Sequence, residues 1–84
     1  MTNVQKKDFL AALNLGRNAE LYKMSDIHSH RLPILNQAVI MYTKEGSTLL
    51  GEYRWGKFYK DDVYDGRFQG TSELNNVIAW VSCK

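Results

Sequence analysis

The fold is decided by Ala38-Val-Ile-Met-Tyr-Thr43, by Lys44-Glu-Gly-Ser47 after it, and by the returning stretch from Thr48 to Arg54. The first six residues are rich in the types that are enriched in β-strands. Gly46 can adopt the positive φ that a tight turn requires. The pattern therefore predicts an antiparallel β-hairpin in the middle of the chain.

Further turns and strands follow this hairpin. Trp55-Gly56 predicts a second turn, which leads into a strand at Lys57-Phe-Tyr59. Asp61 and Asp62 are expected to end that strand, because Asp is depleted in strands. Tyr64-Asp-Gly-Arg67 is typical of another turn. The middle of the chain thus predicts successive antiparallel strands.

The N-terminal residues 2–15 predict a helix. Thr2 and Gln5 have the spacing of a capping box, in which each side chain accepts a hydrogen bond from the other residue's backbone N–H. Gly16 follows the last periodic residue, where a left-handed stop belongs. The apolar stripe at helical spacing consists of Phe9, Leu10 and Leu13.

The remaining segments complete the predicted fold. Residues 17–35 indicate a loop with one short element, and the polar residues 70–76 indicate a second loop. Asn76-Val-Ile-Ala-Trp-Val-Ser82 favours a last, apolar strand. We therefore expect the α+β class, with an N-terminal helix packed on a small antiparallel sheet of three to five strands.

Composition and charge favour one small globular domain over residues 1–84. The hydrophobic fraction is 44% and the formal charge is +2, which by itself is too small to indicate a nucleic acid partner. The net charge is +3 over residues 1–44 and −1 over residues 45–84. If the chain has an anionic partner, we expect that partner to contact the first half of the chain or the local group of Arg54, Lys57 and Lys60.

The single cysteine, Cys83, excludes a disulfide framework within one chain and fits a reducing compartment. No apolar run approaches the ~18–20 residues of a membrane span, and the N-terminus lacks the apolar core of a signal peptide. We therefore expect a cytoplasmic protein without a membrane partner. If a phage encodes the chain, that compartment is the cytoplasm of the host cell.

Metal-ligand residue types cluster at Asp26, His28 and His30, which would point to one side of a strand. A zinc site needs four ligands, or three and a water, and the distant Cys83 would have to complete it. A solvated loop is the favoured interpretation, so no metal is expected. A metal- or thiol-dependent enzyme that uses the two histidines and the cysteine is the third hypothesis for function.

Other catalytic patterns have little support. The carboxylates of Asp61, Asp62 and Asp65 lack the Gly and Glu positions of a calcium loop. The chain has no Gly-x-Ser-x-Gly elbow and no phosphate-binding glycine loop. We therefore expect a protein that is not an enzyme and has no cofactor.

The stretch Gly51 to Lys60 holds four of the ten aromatic residues and three of the eleven basic residues. The spacing is consistent with a hairpin whose rings enter the core as cross-strand pairs. It is also consistent with a contact surface, because Trp, Tyr and Arg are enriched in interface hot spots. The candidate binding residues are Tyr53, Arg54, Trp55, Lys57, Tyr59 and Lys60.

Five short motifs resemble a family of short phage and prophage proteins of unknown function, over about residues 26–82. The resemblance implies a compact β-rich fold and a phage-like origin, and it carries over no catalytic residue. The family's tryptophan ahead of Arg-Leu-Pro is absent from this chain. The motifs are Arg31-Leu-Pro33, Val39-Ile-Met-Tyr42, Gly51-Glu-Tyr53, Gly56-Lys-Phe-Tyr59 and Val77-Ile-Ala-Trp80.

Two hypotheses for function lead. The first is a non-enzymatic accessory protein of phage type that modulates or inhibits a host protein, for example in a defence system, by direct binding. The alternative is a module that binds RNA or single-stranded nucleic acid and counters an RNA-targeting toxin of the host. Its rings would stack on bases, and phosphates would contact Arg54, Lys57 and Lys60 and a secondary basic patch at Lys6, Lys7 and Arg17. A homodimer is expected because the domain is small and its sheet has edges.

Overall fold

The computed structural model describes residues 2–15 and 21–83. These residues form an N-terminal helix and a five-stranded antiparallel sheet in the order β4-β3-β2-β1-β5, which confirms the α+β class. A short 3₁₀ helix spans Met24–Asp26 within the predicted loop. The bounds are α1 Asn3–Asn14, β1 Gln37–Thr43, β2 Thr48–Arg54, β3 Lys57–Tyr64, β4 Arg67–Leu74 and β5 Val77–Ser82.

The predicted capping box is present at the start of α1. Thr2 Oγ1 accepts a hydrogen bond of 3.1 Å from the backbone N–H of Gln5, and the Thr2 N–H donates to Gln5 Oε1 at 2.8 Å. Phe9 and Leu13 from the predicted stripe are buried. The predicted stop at Gly16 lies outside the described residues.

The three predicted turns are confirmed. Gly46 has a φ of +88° in the turn between β1 and β2. Trp55 and Gly56 both have a positive φ, as do Asp65 and Gly66. Two consecutive left-handed residues produce the turn whose twist matches the twist of the strands on either side.

Two predictions about strands are wrong. Asp61 and Asp62 do not end β3, and the predicted loop over residues 70–76 is mostly β4. Asp61 lies opposite Thr71 and Asp62 lies opposite Gly70, so the pairing of the two strands supplies the backbone hydrogen bonds. Strand propensity depends strongly on context, and here cross-strand pairing outweighs it.

The first cluster of buried side chains lies between α1 and one face of the sheet, which we call the helix face. The ring of Phe9 stacks on that of Tyr42 in β1, with 4.8 Å between centroids. Ala79 and Val81 extend the cluster into β5. The cluster comprises Phe9, Leu13, Tyr22, Ile27, Tyr42, Ala79 and Val81.

A second cluster lies on the opposite face, with Val39, Met41 and Trp80 buried at its centre. Leu74 from β4 and Val77 from β5 both pack against it, although these strands are at opposite edges of the sheet. In a flat sheet, four strand spacings would separate the edges by about 19 Å. Three residue steps from Leu74 to Val77 reach at most about 11 Å. The sheet therefore curls around this cluster, and we call this side the concave face.

We infer a bend of the sheet at Gly51 in β2 from the pairing of this strand and from the space around the residue. This strand pairs with β1 through residues 48–53 and with β3 through residues 51–54. A Cβ atom at Gly51 would lie 1.9 Å from the carbonyl oxygen of Tyr59 and 2.7 Å from Met41 Cε. The bend therefore requires a residue without a side chain at this position.

Candidate protein-contact surface

The six residues predicted to form a binding surface do not share one surface. Tyr53 lies directly opposite Phe58 on the concave face, and their rings meet edge to face at 5.2 Å. Tyr53 has an exposed fraction of 8%, so its ring belongs to the core. Tyr53 and Phe58 thus form one of the cross-strand aromatic pairs that the sequence also predicted for Gly51 to Lys60.

Arg54 and Tyr59 lie on the helix face, beyond the region where α1 packs. The Arg54 guanidinium is 4.3 Å from the centroid of the Tyr59 ring. Its Nε lies 3.2 Å from Glu52 Oε1, and its terminal nitrogen donates a hydrogen bond of 2.7 Å to Thr71 Oγ1. The Tyr59 ring and the Glu52 carboxylate therefore hold the Arg54 guanidinium against the surface of the sheet.

The two lysines of the stretch are also paired. Lys57 Nζ is 3.0 Å from Glu73 Oε1, and the hydrogen bond and charge of Glu73 raise the pKa of Lys57. Lys60 Nζ is 3.0 Å from Asp62 Oδ1. A hydrogen bond from Ser72, followed by the interaction with Lys60, lowers the pKa of the Asp62 carboxyl. Each of the three cations in this stretch thus has a carboxylate beside it.

Trp55 differs from the other five predicted residues. It stands at the turn between β2 and β3, and 82% of its surface is exposed. It is not part of the concave cluster, and its apolar surface lies in solvent. It is the part of the predicted surface that is available to a partner.

The structure describes two of the three residues of the predicted secondary basic patch. Lys6 and Lys7 lie on α1, with Lys7 exposed and Lys6 half-buried. Arg17 lies outside the described residues. Lys6 lines a shallow depression together with His28, His30 and other residues of the following loop.

Two of the residues considered as metal ligands or nucleophiles, Asp26 and His28, make structural contacts. The Asp26 carboxylate accepts a hydrogen bond of 2.8 Å from the backbone of Lys23 at the 3₁₀ helix. The His28 ring lies against Trp80, with 4.5 Å between centroids, and Cys83 is exposed after β5. Residues 2–15 and 21–83 contain no group of three or more His, Cys, Asp or Glu side chains that could hold a metal.

A second exposed feature, which was not predicted from the sequence, lies at the end of β3 and β4 that is joined by residues 65 and 66. Residues 57–60 of β3 pair with β2, whereas residues 61–64 pair with β4 alone. Residues 61–71 therefore project from the sheet as a two-stranded hairpin, which we call the ribbon. Val63, Tyr64 and Phe68 on the ribbon have exposed fractions between 63% and 77%. Because turns lie at the surface, the predicted turn of residues 64–67 was a sequence signal that these apolar side chains are exposed.

No family model, curated protein or solved structure matches the chain. Within the described part of the chain, no helix is both long enough and apolar enough to cross a membrane.

Proposed function

We propose that this chain is a small, non-enzymatic accessory protein that modulates or inhibits a host protein by direct binding. The observation that carries the proposal is the ribbon, which presents Val63, Tyr64 and Phe68 to solvent. Large apolar side chains that lie together on a surface indicate an interaction site. A protein partner would bury them.

The position of the ribbon supports this role. Val63 and Phe68 lie directly opposite each other across the two strands, so their side chains share one face of the ribbon. Tyr64 follows Val63 in β3 and lies opposite Arg67, so this pair occupies the other face of the ribbon. Because residues 61–64 pair with β4 alone, a partner can approach the ribbon without competing with the sheet. Tyr and Arg are among the residues that dominate binding energy in interfaces.

The resemblance of the five sequence motifs to short phage and prophage proteins supports the phage-type part of the proposal. A phage protein of this kind would act in the cytoplasm of the host cell, for example on a component of a defence system. Binding to RNA or single-stranded nucleic acid is the weaker proposal, because Arg54, Lys57 and Lys60 already have carboxylate neighbours.

The test uses the purified full chain as bait in host-cell lysate, with quantitative mass spectrometry of the captured proteins. A variant with Val63→Ser and Phe68→Ser removes two apolar groups from the ribbon. A control with Val4→Ser and Leu15→Ser removes two exposed apolar groups near the ends of α1. We expect the wild-type chain and the control to capture the same host protein and the ribbon variant to lose it.

The complex reconstituted from purified components should have a Kd below about 1 μM, in the range of specific protein complexes. Equal capture by the ribbon variant would contradict the ribbon as the contact surface. Capture of RNA, with an affinity that falls steeply with salt, would favour the nucleic-acid alternative. Light scattering tests the expected homodimer, and a mass of two chains that the ribbon variant reduces to one would make the second copy the partner.

A further inference from the structure

A cavity of about 200 Å³ lies between residues 28–32 and the concave face of the sheet. Its apolar wall includes Phe58 from β3 and Val77 and Trp80 from β5. An apolar cavity of ~150 Å³ is large enough for a benzene ring. This cavity therefore has room for one aromatic ring with a small substituent.

The polar residues that line the cavity are His28, Ser29, His30 and Arg31. A shallower depression of about 480 Å³ is lined by the same four residues and by Lys6 and Ile27. Among the described residues, neither depression is lined by an Asp or a Glu. The lining is therefore apolar on one side and rich in hydrogen-bond donors and positive charge on the other.

The wall and the loop are fixed to each other. Trp80 Nε1 donates a hydrogen bond of 2.6 Å to the carbonyl oxygen of Arg31. The backbones of His28 and Trp80 exchange two hydrogen bonds, at 2.9 Å and 3.0 Å. A cavity formed in advance spares the ligand the cost of ordering the loop.

Arg31 is the cation best placed to meet a ligand at the opening. Its carbonyl is held by Trp80, which positions its backbone, while its side chain is exposed. None of the three salt bridges among the described residues involves Arg31 or Lys6. A guanidinium presents a planar fork of N–H donors that matches a carboxylate. The positive charges between Gly51 and Lys60 are paired with carboxylates, whereas those of Arg31 and Lys6 remain available to a ligand.

We propose that this cavity is a binding site for a small planar anion, namely a single aromatic ring that carries a carboxylate. The ring occupies the apolar side against Phe58 and Trp80, and the carboxylate meets Arg31 and His30 at the opening. The site is separate from the ribbon, and the proposal does not depend on the proposed function.

The test follows the two indole N–H signals of the ¹⁵N-labelled full chain by NMR. Trp80 reports on the cavity wall, and Trp55, which is exposed at the turn between β2 and β3 and does not line the cavity, serves as an internal control. The probes are benzoate, its neutral analogue benzamide, and acetate, which has the charge without the ring. We expect benzoate to shift the Trp80 signal saturably, and benzamide and acetate to bind roughly tenfold more weakly or worse, since a hydrogen bond to a charged group contributes about 1.5–3 kcal/mol.

Two variants separate the charge from the shape of the cavity. Arg31→Gln keeps the carbonyl that Trp80 uses, and we expect it to weaken benzoate about tenfold, to the level of benzamide. Arg67→Gln removes an exposed cation on the ribbon and should leave benzoate binding unchanged. Backbone amide spectra of both variants check that they fold as the wild type does.

The proposal is overturned if no probe shifts the Trp80 signal saturably, or if benzoate shifts Trp55 equally. It is also overturned if benzamide binds as tightly as benzoate, or if Arg67→Gln weakens benzoate as much as Arg31→Gln does.

Discussion

The half of the sheet that β1 and β5 form is more buried than the half that β3 and β4 form. β1 and β5 are covered on both faces, by α1 on the helix face and by the curl of the sheet on the concave face. Val39 and Met41 in β1, and Ala79 and Val81 in β5, are buried. In contrast, all residues of β3 and β4 are described and none of them is buried.

The difference shows that backbone pairing and burial make separate contributions to this fold. β3 and β4 pair from Phe58 and Leu74 to Tyr64 and Arg67, yet only Phe58 and Leu74 of these strands pack against a buried cluster, and other pairs, such as Lys57 and Glu73, lie at the surface. Exposed ion pairs contribute little to stability, with a typical value of about 0–1 kcal/mol. The half that contributes least to the core is therefore the half that can present apolar groups to a partner.

The largest expected effect compares the same substitution in the two halves. Phe9→Ala removes a fully buried ring that stacks on Tyr42, and we expect the free energy of unfolding to fall by about 3–5 kcal/mol. Phe68→Ala removes an exposed ring from the ribbon and should change it by less than about 0.5 kcal/mol. Urea unfolding followed by circular dichroism measures both. Similar losses in the two variants would refute the proposed division of stability.

The second effect tests the bend between the two halves. Gly51→Ala places a methyl group against the Tyr59 carbonyl, which belongs to the backbone and cannot rotate away. We expect a loss of about 3 kcal/mol, at the upper end of the usual cost of overpacking. Gly66→Ala is the control, because its Cβ meets open space and its φ of +74° alone costs about 1–2 kcal/mol. A Gly51→Ala variant as stable as this control would show that the bend tolerates a side chain.

The third effect concerns the helix that covers one half. Thr2→Ala removes the side-chain acceptor of the capping box, and we expect a loss of about 1 kcal/mol in the free energy of unfolding. Asn3→Ala is a nearby exposed control that should stay within about 0.5 kcal/mol of wild type. A loss confined to Thr2→Ala would show that the cap stabilises the covered half through α1, whereas equal stability would mean that packing alone holds the helix.

The smallest effect is a pH dependence in the exposed half. The hydrogen bond from Ser72 and the interaction with Lys60 lower the pKa of Asp62 in the folded state. The contribution of this carboxylate is therefore present above its ordinary pKa of about 4, and it is lost as the pH falls through the lowered folded value. Thermal unfolding between pH 7 and pH 2 should show a smaller drop in Tm for Asp62→Asn than for wild type.

Asp65→Asn is the control for this pH dependence, since Asp65 lies in a turn and takes part in no salt bridge among the described residues. Its Tm should follow that of the wild type across the range. An Asp62→Asn profile identical to the wild-type profile would show that the contact with Ser72 has no influence on stability.

The features that the sequence predicted well depend on residues close together in the chain. Thr2 and Gln5 are three positions apart, and the two-residue turn at Asp65 and Gly66 depends on its own backbone angles. Local chemistry determines such features. The apolar strand β5 was also found, because its composition alone distinguishes it.

The features that the sequence did not predict depend on distant partners. β4 is poor in strand-forming residues, and its pairing with β3 holds Gly70 and Ser72 in an extended backbone. Tyr53 and Trp55 were both predicted to belong to one binding surface, but Tyr53 is buried and Trp55 is exposed at the turn. Strand alternation divides the candidate surface between the two faces, whereas the burial of one face depends on residues distant in the sequence, such as Val39, Met41 and Trp80.

The position of β5 has a consequence for the order of folding. Met41 pairs with Trp80 across the whole meander of β2, β3 and β4, and His28 pairs with Trp80 from the other side. The hairpins need only short loop closures, which are fast, whereas β5 must close the longest loop in the sheet. Ala79 and Val81 belong to one hydrophobic cluster and Trp80 to the other, so both clusters remain incomplete until Val77–Ser82 docks.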